Sequence, residues 1–420
     1  MARSRLHWLY PGLGVKRWVV LIVVGAALAG YALFVLLGVA ASPGVRGELG
    51  VRWAGEHPLR WAAMAATLLV VGSLALGYGL LRLFRFAPPA GGADEIRCAA
   101  RLARGPRVVA IGGGSGLSAL LSGLKGHTGN LTAIVTVADD GGSSGRLRRE
   151  LGVLPPGDIR NCLVGLADDE SLMGRLFEYR FADGGLEGHS FGNLFVTALA
   201  EVTGDFERAV EVSTRILKVR GQVLPATLED VVLHAELQDG ERVAGQSIIT
   251  AGDHPPRRVW IEPDKPRAVP AALEAIAAAD LVVLGPGSVY TSIAPNLLIP
   301  EVREAVRRSG ARVVYVCNVM TEPGETDGFG AADHLSAICR HGAAGLVDDV
   351  LVNDTPVSSA MAAAYQASGA RPVAVDDAAL SALGVRVVHA GLASEGDFFR
   401  HDPQRLAAAL VRLARRPRRR

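Results

Sequence analysis

Two apolar runs near the start of the chain constrain it more than any other feature. Residues 18–41 and 61–81 contain no Asp, Glu, Lys or Arg over 24 and 21 positions. At ~1.5 Å per residue, a helix of about 20 residues crosses the ~30 Å hydrocarbon core of a bilayer. The apolar core of a signal peptide is only about 7–15 residues, shorter than either run. Two buried helices of a soluble protein would show polar residues at helical spacing, and neither run does. The reading is therefore a two-helix transmembrane hairpin.

The flanking cations orient it. Residues 1–17 carry Arg3, Arg5, Lys16 and Arg17, and the stretch after the second run carries Arg82, Arg85, Arg97, Arg101, Arg104 and Arg107. The connection has only Arg46, Arg52 and Arg60. By the positive-inside rule both termini lie in the cytoplasm. Trp18, Trp53 and Trp61 fall near the span ends, where interfacial aromatics belong. The expected organisation is a cytoplasmic N-tail at 1–17, helices at 18–41 and 61–81, an external loop at 42–60 and a linker at 82–104. A soluble domain at 105–414 and a basic tail at 415–420 follow, also cytoplasmic. The expected location is the cell inner membrane, spanned twice.

Composition matters chiefly for what it excludes. The hairpin raises the mean hydropathy of +0.26. With 49% hydrophobic residues the chain has ample apolar surface to bury, so it is not disordered. Cys98, Cys162, Cys317 and Cys339 form no CxxC pair, which argues against a disulfide scaffold or a cysteine zinc site. The 44 basic and 42 acidic residues leave no overall nucleic-acid signal.

Past the linker the pattern becomes that of an α/β domain. The run 108–111 breaks at Gly112-Gly113-Gly114-Ser115-Gly116, a helical face of Leu117, Leu120, Leu121 and Leu124 follows, and 134–138 is the next apolar run. Strand, glycine turn, helix, strand is the sign of a βαβ unit. Further strands are expected at 281–284, 313–316, 350–352 and 385–389, with helices at 269–279 and 301–308. Continuous apolar strands between helices imply a parallel sheet covered on both faces. Residues 205–265 read differently: 231–237 and 248–249 suggest antiparallel pieces of a smaller inserted subdomain. The expected fold is thus a Rossmann-like, three-layer parallel sheet.

Ligands of such sheets bind at the carboxyl ends of the strands, where the unusual clusters fall. Gly113, Gly114, Ser115 and Gly116 let backbone N–H groups approach a phosphate at a helix N-terminus. The loop is neither GxGxxG nor a Walker A motif. Asp139 and Asp140 end the next strand, where an acid holds a ribose hydroxyl, a carboxylate such as Asp140 holds Mg²⁺, or a side chain simply caps a turn. Gly142, Ser143 and Ser144 add a second glycine-serine loop, so that two such loops suit a diphosphate. Asp158 is placed to cap a helix that carries Asn161. His189, with Ser190 and Asn193 beside it, opens another helix. Gly287 and Ser288 end one late strand and Asn318 the next. Cys317 lacks a visible base and reads as a small buried residue. No GxSxG elbow or HExxH motif occurs. Hydroxyls, amides and backbone N–H groups dominate, a set that suits a nucleotide-sugar.

The same segments carry a resemblance. Residues 111–117 (IGGGSGL), 136–146 (TVADDGGSSGR), 155–161 (PPGDIRN), 188–194 (GHSFGNL), 284–298 (LGPGSVYTSIAPNLL) and 316–328 (VCNVMTEPGETDG) closely resemble the bacterial gluconeogenesis-factor (YvcK-like) family, within the 2-phospho-L-lactate transferase-like superfamily. The likeness covers about 106–410. It implies a domain that binds UDP-N-acetylglucosamine and acts in carbon-source adaptation, cell shape and envelope synthesis, with no settled reaction. It implies ligand contacts at the 113–116 loop, Asn193, Tyr365 and Arg400. Tyr365 suits stacking and Arg400 suits a diphosphate. Ser115 stands where the family commonly has threonine, and the hairpin departs from the soluble form typical of the family. Two functions follow: a sensor that binds its ligand without turnover, with envelope-synthesis proteins or a second copy of the chain as partners, or a Mg²⁺-dependent transferase of phosphate-linked groups. The absence of an evident base or nucleophile favours the sensor.

Overall fold

The computed structural model describes residues 16–41, 57–86, 100–167, 172–396 and 398–416. Expectations for most of the N-tail, for 42–56 of the external loop with Trp53, for 87–99 of the linker with Cys98, and for the last four residues lie outside that range, whereas 58–60 and 82–86, expected as loop and linker, belong to the helix Pro58–Phe86. The chain divides into two compact units, Met1–Arg101 and Leu102–Arg420.

The first unit contains α1 (Lys16–Ala40) and α2 (Pro58–Phe86). By length and composition alone, both are apolar enough to cross a membrane. They pack on small residues: a Cβ on Gly25 would lie 2.7 Å from the Leu76 nitrogen, and one on Gly72 2.8 Å from the Ala29 nitrogen. Backbones approach this closely only where side chains are absent. At one end Trp18 and Tyr78 meet edge to face at 5.7 Å. The Arg82 Nε there donates to the Tyr78 hydroxyl at 3.0 Å.

The second unit is built on seven parallel strands: β1 (Val108–Gly112), β2 (Leu131–Val135), β3 (Gln222–Pro225), β7 (Leu281–Leu284), β8 (Arg312–Val316), β9 (Asp349–Asn353) and β10 (Arg386–Ala390). Their order is β10-β9-β8-β7-β1-β2-β3. The order in which strands are added reverses between β1 and β7, the switch point at which such sheets open a ligand crevice. Alternation explains the layers. On β1, Val109 and Ile111 face one core while Val108 and Ala110 face the other. Val282/Leu284 and Leu281/Val283 divide the same way on β7. Both faces are buried, so the strands read as unbroken apolar runs.

Between β3 and β7 lies the smaller subdomain, an antiparallel sheet in the order β5 (Arg242–Ala244), β4 (Val232–Glu236), β6 (Arg258–Glu262). A hairpin, β11 (Ala393–Glu395) and β12 (Phe399–His401), precedes the last helix, Pro403–Ala414. Three expectations need correction. Residues 136–138 are loop, because β2 takes up Leu131 and Thr132 instead and pairs with β1 in register from Val108. Residues 248–249 belong to a short helix, Gln246–Thr250, started by Gly245. β3 joins the main sheet rather than the inserted one, its Val223 opposite Ala133.

At the opposite end of the strands from the glycine loops, Asp349 is 1% exposed and binds two guanidinium groups at 2.6 Å each, those of Arg312 and Arg386. The pair ties together the starts of β8, β9 and β10. Removing one partner strands a buried charge, which costs about 3–5 kcal/mol. Asp349→Ala is expected to lower urea-denaturation stability by that amount, and a loss within about 0.5 kcal/mol, the usual scale of surface substitutions, counts against this account.

Candidate functional site

β1 ends where glycine is needed. Gly113 is extended, Gly114 turns at φ +69°, and the helix α3 (Gly114–Leu124) starts at once. A Cβ on Gly116 would lie 2.7 Å from the Pro286 carbonyl oxygen. The loops after β1 and β7, neighbours across the switch point, can therefore interlock only because position 116 has no side chain. Their backbone N–H groups and the α3 N-terminus form the kind of wall that suits an anion.

Beside them opens a cavity of about 660 Å³. It gathers the predicted Gly113, Gly114, Ser115, Gly116, Gly287, Ser288, Asn318, Tyr365 and Arg400 from five separate stretches of chain. The Asn318 Oδ1 accepts from the Gly287 N–H at 3.3 Å, while its Nδ2 donates to Glu322 at 3.2 Å. Tyr365 lines the cavity, but its hydroxyl bonds both backbone groups of Phe399, at 3.1 and 3.2 Å. It thereby holds β12, whose Arg400 guanidinium lies over the Phe398 ring at 5.7 Å.

The other predicted residues lie outside this lining and form a second polar cluster at the end of β2. Asp139 turns the chain by accepting from the Gly141 N–H at 3.0 Å. Asp140 Oδ1 accepts from the Ser247 N–H at 2.8 Å and so anchors the 246–250 helix. Gly142, at φ +44°, starts the helix Gly142–Leu151. The Ser143 hydroxyl lies 2.9 Å from His189 Nδ1 and accepts from Asn193 Nδ2 at 3.1 Å. Ser144 packs under Gly157. The Asn161 Oδ1 accepts from the Arg160 guanidinium at 2.6 Å. So the loop that shares the cavity with 113–116 is that of β7, not 142–144. Among the described residues, no three His, Cys, Asp or Glu side chains are grouped to hold a metal.

Asp158 joins the two clusters. It does not cap its own helix, whose N-cap is Pro156. Its carboxylate instead lies against Gly113 and lines the cavity. Loss of hydration raises its pKa to about 7, with the nearby Asp139 charge adding to the rise.

The strongest features missed by the sequence reading are Glu322 and Glu325, on the loop after β8. Both stand in the 316–328 motif, but nothing in spacing tells a lining carboxylate from a turn residue. Glu325 is 1% exposed, and its Oε1 accepts from the Thr291 and Thr250 hydroxyls at 2.9 and 3.2 Å. Burial first, and the Glu322 charge second, push its pKa up to about 7. Burial raises Glu322 as well. Carboxyl groups poised in a cleft near neutrality suit acid–base or hydrogen-bonding work.

The raised value has a sign. Glu325 holds its proton more tightly folded than unfolded, so its contribution to stability is complete below the ordinary 4.5 and is lost as pH climbs towards about 7. Melting temperature should fall between about pH 5 and about pH 8, and Glu325→Gln should flatten that fall. An identical pH profile in the variant would refute the assignment.

Comparison with known proteins agrees with this geometry. The 2-phospho-L-lactate transferase CofD family model matches residues 108–393. The gluconeogenesis factor of Halalkalibacterium halodurans is 49% identical over 72% of this chain and 95% of its own. That of Bacillus subtilis is 47% identical over 73% and 98%. A relative from Nostoc sp. is 48% identical over 96% of this chain and 91% of its own. Its match reaches into the N-terminal region, so that region is not peculiar to this chain. A crystal structure of a UPF0052 family member from Bacillus halodurans superposes with a TM-score of 0.71 at 49% identity, over 72% of this chain and 99% of that one. On these matches and this fold, the chain belongs to the gluconeogenesis-factor family of CofD-like proteins.

Proposed function

We propose that this chain is a membrane-tethered regulator that binds UDP-N-acetylglucosamine and couples carbon metabolism to cell shape and envelope synthesis. The observation that carries the reading is the cavity itself. Glycine-loop N–H groups at the α3 N-terminus and the Arg400 guanidinium suit a diphosphate, while Asn318, Ser288 and the buried carboxyls suit sugar hydroxyls. Its volume of about 660 Å³ lies in the ordinary range for small-molecule sites. Protein partners would be envelope-synthesis proteins or a second copy of the chain, reached from the membrane surface. The test is calorimetry with the purified chain. UDP-N-acetylglucosamine should bind without Mg²⁺ and without product, and Arg400→Glu should weaken it by at least about tenfold, the scale of a lost charge-assisted contact. Failure of every uridine nucleotide to bind would discard the reading.

A second reading is a transferase of phosphate-linked groups, favoured by the CofD match and by Asp158 and Glu325 standing near neutrality. Mg²⁺ at Asp140 belongs to this reading, with phosphate and water as its remaining ligands. Turnover that requires Mg²⁺ and is abolished by Asp140→Asn would select it over the sensor.

The two apolar helices support a membrane location, and the flanking cations support an orientation with both termini cytoplasmic. A cysteine placed in the 42–56 segment should then react with an impermeant maleimide on intact cells. Reaction only after lysis reverses the orientation.

A further inference from the structure

Buried polar atoms normally have a partner, so each orphan asks for one. Among the described residues, four such atoms belong to side chains that line the same cavity: Gln246 Oε1, Glu322 Oε2, Glu325 Oε2 and His401 Nε2. Chemically they are alike. The amide oxygen and the carboxylate oxygens accept hydrogen bonds. His401 is held neutral, its pKa lowered to about 4 by burial, with the Cys317 backbone acting against that shift; a neutral imidazole has one acceptor nitrogen, and Nε2 is the one left without a partner. We take Nε2 as that acceptor, in keeping with the other three atoms.

The cavity thus has two chemically opposite walls. One, at the start of α3 and at Ser288, offers backbone N–H donors. The other, from the 246–250 helix, the loop after β8 and the end of β12, offers unmet acceptors. The diphosphate of a nucleotide-sugar, esterified at both ends, has no proton to give at pH 8 and would face like charge on the second wall. A metal ion would need a converging ligand set, and among the described residues no group of three His, Cys, Asp or Glu provides one.

We infer that Gln246, Glu322, Glu325 and His401 form a subsite for the hydroxyl and amide N–H donors of a neutral sugar, and that its carboxylates exclude sugars bearing an acid group. This rests on the nucleotide-sugar reading and adds the direction in which the ligand lies, diphosphate on the glycine wall and pyranose on the acceptor wall. Selectivity then comes from repulsion as much as from attraction: an anionic sugar meets two carboxylates and leaves the acceptors unpaired.

The experiment is a calorimetric titration of the full-length chain in detergent at pH 8 with EDTA, using UDP, UDP-N-acetylglucosamine and UDP-glucuronate. UDP should bind, UDP-N-acetylglucosamine more tightly, and UDP-glucuronate at least about tenfold more weakly than UDP-N-acetylglucosamine, the least expected of like charges in contact. Glu325→Gln should narrow that gap with an unchanged circular-dichroism spectrum, and Glu322→Gln serves if the first variant does not fold. Equal affinity of the wild-type chain for the two sugar nucleotides overturns the subsite while leaving the nucleotide reading in place. Sugar-nucleotide binding that vanishes in EDTA and returns with Mg²⁺ gives the acceptors to a cation and overturns it as well. If UDP itself does not bind, the nucleotide reading fails first.

Discussion

The site depends on one close approach. Residue 116 sits so near the Pro286 carbonyl that even a methyl group would collide with it. That contact lets the loop after β1 and the loop after β7 meet across the switch point. Sheet order supplies the neighbours, because β1 and β7 pair directly despite the long stretch of chain between them. Glycine supplies the clearance. With both in place, the α3 N-terminus and two sets of backbone N–H groups open onto the same space.

Around that space, conformational and electrostatic demands are divided between the ends of the sheet. At the start of the strands Asp349 is neutralised by two guanidinium groups, a closed arrangement. At the carboxyl ends burial outweighs such help and holds the pKa values of Asp158, Glu322 and Glu325 up, even though the Arg160 charge acts on Asp158 in the opposite sense. The first arrangement holds the sheet together. The second keeps polar atoms unsatisfied in a cleft, a cost to the fold that a bound ligand can offset.

Much of this was legible before any coordinates. The hairpin followed from uncharged runs long enough to cross a bilayer. Each main-sheet strand except β3 was visible as an apolar run, and the glycine loop announced a strand-to-helix turn. β3 was obscured because Gln222–Pro225 is a short edge strand ending in proline, and the 246–250 helix because five residues show no period. Tyr365 and Arg400 came only from the family resemblance. For Tyr365 the structure adds a role that stacking did not suggest: its hydroxyl fastens the backbone of the strand that carries Arg400.

The sequence by itself determined the classes of element and the chemistry available at their ends, since apolar periodicity and glycine placement act locally along the chain. Only the tertiary structure decided which ends meet. Asp139, Asp140, Ser143, His189 and Asn193 look equal to the 113–116 loop as ligand groups in the sequence, yet the fold places them outside the cavity lining and bonds them to one another and to neighbouring backbone, with Asn193 Oδ1 left unmet. Glu322 and Glu325 look like ordinary turn residues, and the fold shields one oxygen of each, Oε2, without a partner. The difference lies in burial and partner supply, quantities set by segments far apart in the chain.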